Sequence, residues 1–107
     1  MEDGKLVRVL KALAHPKRFR MVQEIAAAGE LSCGQLGDKF DLSQPTVSHH
    51  LKILSDSGVL EMRREAQHGF ISVNHALLAE VLALLPDRLG TAEPARPRRA
   101  RQAARGR

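Results

Sequence analysis

Residues 42–60 read LSQPTVSHHLKILSDSGVL and carry a helix start signal, a helical pattern and a stop signal in that order. Ser43 is a residue type that favours helix N-termini, and Gly58 is the residue type that most often follows a helix end. Apolar residues and one histidine recur between them at helical spacing on a single side: Val47, His50, Leu51 and Leu54. This stretch therefore predicts an amphipathic helix over residues 44–57.

A second, shorter helix is predicted directly before this one. Ser32 is followed three residues later by Gln35, which has the form of a capping box, and the helix would cover residues 33–40. Only a tight turn, residues 40–43, separates the two helices. Two short helices joined by so brief a turn have the helix-turn-helix layout.

The remaining sequence adds two helices before this unit and a hairpin and a helix after it. Residues 5–14 and 16–28 have helical periodicity, with Phe19, Val22 and Ile25 expected to face inward. Residues 59–74 predict a β-hairpin whose turn covers residues 66–69, with Gly69 permitting a positive φ. Residues 75–89 return to helix, with Pro86 limiting the last turn. The predicted fold is mainly α with a small β-hairpin.

The net charge of +5 is unevenly distributed along the 107 residues. Residues 91–107 hold six arginines against Glu93 and therefore carry 6 − 1 = +5, whereas the other 90 residues sum to 11 − 11 = 0. The tail also lacks large apolar residues. We expect one folded domain over residues 1–90 and a disordered, arginine-rich segment over residues 91–107.

Several classes of protein are excluded. No apolar run approaches the roughly 18 residues that a membrane span needs, and the charged N-terminus lacks a signal-peptide core, so a cytoplasmic protein is expected. Cys33 is the single cysteine, which excludes a disulfide scaffold. Catalytic constellations such as paired carboxylates or a nucleophile with its base are absent, so we expect neither an enzyme nor a cofactor.

The polar side of the 44–57 helix is rich in compact hydrogen-bonding groups. Gln44, Thr46, Ser48 and His49 suit hydrogen bonding to base edges in the major groove of DNA. The alternative is an ordinary solvated helix face, for which long Glu and Lys pairs would be more usual. Basic residues in the neighbouring hairpin favour the DNA-binding interpretation.

Three segments resemble one known family. LKALAHPKRFRMV (10–22), LSQPTVSHHLKILSDSGVL (42–60) and MRREAQHGFISV (62–73) are similar to the ArsR/SmtB family of bacterial winged-helix repressors, and the similarity covers about residues 5–85. The resemblance implies a winged helix-turn-helix fold in which residues 44–57 are the recognition helix and residues 59–74 the wing. It also implies a homodimeric repressor that binds an imperfect palindrome in double-stranded DNA at a promoter, associated with the nucleoid.

The resemblance assigns roles by position. It implies base reading or groove lining by Gln44, Thr46, Ser48 and His49, with Gln44 the strongest candidate for a direct base contact. The expected DNA-backbone contacts are basic residues of the recognition helix and wing: Lys52, Arg63, Arg64 and His68. We expect His50 to pack against the domain, and Arg18 and Arg20 to be solvated, with a phosphate contact as the alternative.

The final helix is apolar on more than one face and must be covered on both. The resemblance implies that it packs on the first helix across a two-fold axis. The expected dimer interface consists of seven aliphatic residues from these two helices: Leu6, Leu10, Leu13, Leu78, Val81, Leu82 and Leu85.

A metal site is not expected. Metal-sensing members of the family that this sequence resembles carry Cys-X-Cys at the start of the third helix, whereas residues 30–36 read ELSCGQL, with Ser32 and Gly34 at the corresponding positions. His75 and Glu80 lie about 140° apart on a helix, which is poor geometry for one ion. The effector therefore remains open between a small-molecule inducer, a protein partner and no effector at all. The alternatives for the function are a winged-helix module that binds a protein and a metal- or redox-responsive regulator.

Overall fold

The computed structural model describes residues 1–91 as five helices and three short strands. In chain order they are α1 (Asp3–Leu13), α2 (Pro16–Ala28), β1 (Leu31–Ser32), α3 (Cys33–Phe40), α4 (Gln44–Asp56), β2 (Leu60–Glu65), β3 (His68–Val73) and α5 (His75–Arg88). The predicted mainly α fold with a small antiparallel hairpin is confirmed. Apart from Thr91, the arginine-rich tail predicted to be disordered lies outside the described residues.

Local capping signals define most helix starts. Ser32 and Gln35 form the predicted capping box, with Ser32 Oγ accepting from the Gln35 N–H at 3.1 Å and Gln35 Oε1 accepting from the Ser32 N–H at 2.8 Å. Asn74 Oδ1 accepts from the Leu77 N–H at the start of α5. Ser43 occupies the N-cap position of α4, but its Oγ lies 3.0 Å from Thr46 Oγ1 and caps no backbone N–H. The prediction that Ser43 precedes α4 as its N-cap residue is confirmed, although its hydroxyl bonds Thr46 and not the backbone.

The ends of three helices differ from prediction by one or two residues. α1 begins at Asp3 and ends at Leu13 instead of covering 5–14. α4 ends at Asp56 rather than 57, because the Ser57 Oγ donates to the Leu54 carbonyl and so helps to close the last turn. α5 continues through Pro86 to Arg88, since the Leu89 N–H still donates to the Leu85 carbonyl beyond the proline.

The hairpin is part of a three-stranded antiparallel sheet in the order β1-β3-β2. Leu31 of β1 pairs with Ile71 of β3, and two residues are too few to show an alternating pattern in the sequence. The turn is also tighter than expected. Glu65 pairs with His68, so Ala66 and Gln67 alone connect the strands; Ala66 takes the positive φ of 55°, and Gly69 lies within β3.

A single apolar core holds the helix-turn-helix unit against the sheet. Its fully buried side chains come from α1 to α4, from β3 and from the segment that leads into β2: Val9, Met21, Ile25, Leu36, Val47, Leu54, Val59 and Ile71. α4 is anchored on one side only, by Val47, His50, Leu51 and Leu54. Its opposite side is thereby left facing solvent.

Candidate nucleic-acid interface

The exposed side of α4 carries the four predicted base-reading residues. Gln44, Thr46, Ser48 and His49 are all exposed, on or beside the first turns of the helix. Their hydrogen-bonding groups therefore face solvent together, as contact with base edges requires. The Thr46 hydroxyl pairs with Ser43, so it is less available for a base contact than the exposed side chains of Gln44, Ser48 and His49.

The two edges of α4 face different parts of the chain. Ser48 and Lys52 line a shallow pocket with Met62 of β2, so this edge faces the hairpin. On the other edge, the His50 ring lies 4.9 Å from the ring of His15, the N-cap residue of α2. The hairpin and the start of α2 thus flank α4 on opposite sides.

Two of the predicted DNA-backbone residues are engaged in ion pairs within the chain. Arg63 donates to Glu30 at 2.9 and 3.2 Å and to Glu65 at 2.9 Å, and its guanidinium lies 4.8 Å from the centre of the Phe70 ring. Lys52 Nζ lies 3.2 Å from Asp56, although both side chains are mostly exposed and this pair is weak. Arg63 is accordingly held along the hairpin.

The ion pairs of Arg63 with Glu30 and Glu65, here called the Arg63 cluster, shift the pKa values of these groups. Hydrogen bonds from Arg63 and its charge lower the pKa of the Glu30 carboxyl, and the bonds to Glu30 and Glu65 raise the pKa of Arg63. The cluster ties the wing to the segment before β1 and partly neutralises the wing. Arg64 and His68 are exposed, and within residues 1–91 neither has an ion-pair partner.

His50 packs into the domain as predicted. It is 8% exposed, and within the described chain its Nδ1 has no hydrogen-bond partner. Burial lowers the pKa of His50, and the nearby His15, Arg18, His49 and Lys17 lower it further. The neutral ring is therefore the form that suits this position.

Arg18 is not a solvated side chain, contrary to expectation. Its Nε donates to the Ala12 carbonyl at 2.6 Å and a terminal nitrogen donates to the Lys11 carbonyl at 3.2 Å. These carbonyls belong to the last turn of α1, where backbone acceptors lack helical partners. Arg18 thus fixes the α1–α2 junction, whereas Arg20 is exposed.

A second candidate surface is an apolar groove of about 420 Å³ between α1, α2 and α5. Of the predicted dimer residues, Leu6 and Val81 are buried within the chain itself, and Leu13, Leu78 and Leu85 are half-buried. Leu10 and Leu82 are exposed, Leu82 by 70%. We call the apolar surface formed by Leu10, Leu13, Phe19, Leu78, Leu82 and Leu85 the open groove.

Phe19, a residue of the open groove, was predicted from the sequence to be in the core, and this prediction is wrong. Its spacing predicts a core position with Val22 and Ile25, yet it is 51% exposed, because it lies at the edge of the inward-facing side of α2. The sequence contains only three phenylalanines, and an exposed aromatic side chain on a helix is unusual. The pattern therefore gave little indication that Phe19 is exposed.

Cys33 is half-buried at the start of α3, near Met62 and Ser48. Among residues 1–91, no three His, Cys, Asp or Glu side chains are grouped so as to hold a metal ion. Within the same residues, no helix is long and apolar enough to cross a membrane.

Comparison with known proteins gives consistent matches. Residues 13–63 match a family model described as a helix-turn-helix domain. The chain is 38% identical over 77 residues to the biofilm growth-associated repressor of Agrobacterium fabrum, covering 72% of this chain and 65% of that protein. It is 32% identical over 82 residues to the arsenical resistance operon repressor of Staphylococcus aureus, covering 77% of this chain and 78% of that repressor.

The structural comparison agrees with the sequence comparison. Reduced HlyU from Vibrio cholerae superposes with a TM-score of 0.63 at 33% identity, covering 80% of this chain and 88% of HlyU. The shared fold therefore extends beyond the residues that the helix-turn-helix family model matches.

Proposed function

The chain belongs to the ArsR family of DNA-binding transcriptional repressors, and we propose that it acts as a homodimer on an imperfect palindrome at a promoter. The observation that supports this most directly is the exposed side of α4, where Gln44, Thr46, Ser48 and His49 lie together beside the hairpin. In this proposal α4 enters the major groove, the hairpin is the wing, and the protein acts on nucleoid DNA in the cytoplasm.

The proposed base contacts come from side chains in the first half of α4. Gln44 donates and accepts through one amide, so it can bind an adenine edge with two hydrogen bonds. Ser48 and His49 face the DNA major groove beside Gln44. Thr46 contacts the bases through its methyl group, because its hydroxyl is shared with Ser43. Lys52, Arg64 and His68 are proposed backbone contacts, and Arg63 contributes mainly by holding the wing.

The open groove is the proposed dimer interface. Leu82 of α5 projects from the groove, while Leu10, Leu13 and Phe19 from α1 and α2 line it, so two copies related by a two-fold axis can exchange α5 contacts. An exposed apolar surface of this kind is unfavourable in a monomer. The resulting dimer places two α4 helices in successive major grooves, roughly 34–36 Å apart.

An effector, if one acts on this repressor, is proposed to be a small molecule or a protein. The metal-binding Cys-X-Cys positions of the family hold Ser32 and Gly34, and Cys33 is the single cysteine in 107 residues. A soft metal ion needs two or three thiolates converging on it, which one chain of this sequence does not supply.

Selection of DNA from a random pool with the full-length chain tests the proposal. We expect enrichment of one motif with two inverted half-sites whose centres lie about 10–10.5 base pairs apart, or a multiple of that distance. Footprinting of the region upstream of the gene should then protect a copy of the motif. A pool that remains unenriched, together with an unprotected upstream region, would contradict the proposal and favour a protein-binding module.

A further inference from the structure

A basic pocket lies between the start of α2 and the end of α3. It has a volume of about 350 Å³ and is lined by five residues: Pro16, Lys17, Arg20, Lys39 and Phe40. Three of these five carry a positive charge, and all except Phe40 are exposed. We call this the flank pocket.

The flank pocket retains a net positive charge. Lys39 Nζ pairs with Glu24 at 3.3 Å, so these two charges largely cancel. Within residues 1–91, Lys17 and Arg20 have no carboxylate within ion-pair distance. Two uncompensated cations therefore share one concave surface, which suits a compact anion such as a phosphate group.

The flank pocket adjoins the edge of α4 that faces away from the wing. His15, directly before Pro16, contacts the His50 ring of α4, with the ring centres 4.9 Å apart. At the other wall of the pocket, Phe40 ends α3, and only residues 41–43 separate it from Gln44. One wall of the pocket thus begins at the residue after His15, which contacts α4, and the other wall precedes α4 by a three-residue turn.

A helix in the major groove has DNA backbone on both sides. An α-helix with its side chains is about 10–12 Å across and the groove is about 12 Å wide, so the parts of a protein that flank the helix meet phosphates. The wing occupies one flank of α4 and the flank pocket the other. On the wing side, Arg63 and Lys52 are already ion-paired, which leaves Arg64 as the wing arginine without a carboxylate partner among residues 1–91.

We propose that the flank pocket binds a backbone phosphate of the operator, on the side of the major groove opposite the wing, through Lys17 and Arg20. This rests on the proposed DNA-binding function and extends it to a second positioning surface. Phosphate contacts position the protein without reading sequence, so this contact raises affinity for all duplexes and leaves site preference unchanged. In the dimer two such pockets bind two phosphates.

The salt dependence of binding tests this. In the full-length chain, Lys17→Gln with Arg20→Gln removes both cations, and Lys5→Gln with Arg8→Gln removes two exposed charges from α1 as a matched control. Binding of each protein to the selected duplex is measured by fluorescence anisotropy between about 50 and 200 mM salt. We expect the slope of log affinity against log salt to become shallower by about 0.9 per phosphate, about 1.8 per dimer, in the first variant only.

Phosphate ethylation interference on the same duplex locates the contact. The wild-type chain should show interference at a phosphate on the side of each half-site away from the wing, and the Lys17 and Arg20 variant should lose it. If the two double variants have equal salt slopes and both still bind the selected duplex specifically, the proposed phosphate contact of the flank pocket is wrong, whereas the proposed DNA-binding function stands. A wild-type chain that binds no duplex specifically would overturn the proposed function as well.

Discussion

Replacement of Leu82 by Glu should separate the proposed dimer without unfolding the protomer. Leu82 is 70% exposed in the single chain, so its side chain contributes little to the protomer core. Full burial of a leucine side chain is worth about 1.5–3 kcal/mol, so the exposed part is worth about 1–2 kcal/mol per chain. The two-fold axis doubles this to about 2–4 kcal/mol, which raises the dimer Kd about 30- to 1,000-fold before the cost of a buried carboxylate is added.

Sedimentation equilibrium of wild-type and variant chains measures this change. Ala83→Glu is the matched control, because Ala83 is exposed on α5 about 100° around the helix from Leu82 and receives the same charge. Circular dichroism should show the same helix content for all three proteins. If Leu82→Glu dimerises as tightly as wild type, or if Ala83→Glu weakens the dimer equally, the open groove is not the interface.

Three further predictions concern His50, Ala66 and the wing arginines. Because the pKa of His50 is lowered in the fold, the unfolded chain takes up this proton first as the pH falls, so the His50 contribution to the free energy of unfolding should be constant above about pH 6.5 and decrease below it by at most about 1.4 kcal/mol per pH unit. In urea titrations His50→Leu should therefore reduce the fall in stability below about pH 6.5. Ala66→Gly should raise the free energy of unfolding by up to about 1 kcal/mol. A positive φ costs alanine about 1–2 kcal/mol, and the greater entropy of glycine in the unfolded chain offsets part of the gain. An unchanged or lower free energy of unfolding would contradict the assigned turn. Arg64→Gln should make the salt slope of DNA binding shallower by about 0.9 per chain, whereas Arg63→Gln should change it little; the reverse order would show that the Glu30 pair opens on DNA.

Features with local causes could be predicted from the sequence. The bounds of α2 and α3 follow from Pro16, Gly29 and the Ser32–Gln35 capping box, because each of these acts within one helical turn. The exposed side of α4 follows from its apolar periodicity. The candidate base-reading side chains could therefore be placed on one face before any tertiary contact was known.

Features that depend on contacts between distant residues could not be predicted. β1 is two residues long and exists because β3 pairs with it, and the Arg63–Glu30 ion pair joins residues 33 apart in sequence. Phe19 has the spacing of a core residue, yet it lies at the edge of the inward-facing side of α2, where the groove between α1, α2 and α5 leaves it uncovered. Neither composition nor periodicity carries information on these pairings.

Sequence reading by α4 is tested by the affinity of Gln44→Ala for two duplexes, one carrying the selected motif and one of random sequence. If Gln44 reads a base, the substitution should cost about 1–3 kcal/mol on the selected duplex and little on the random one. Equal losses on both duplexes, or no loss on either, would contradict sequence reading by the exposed face of α4.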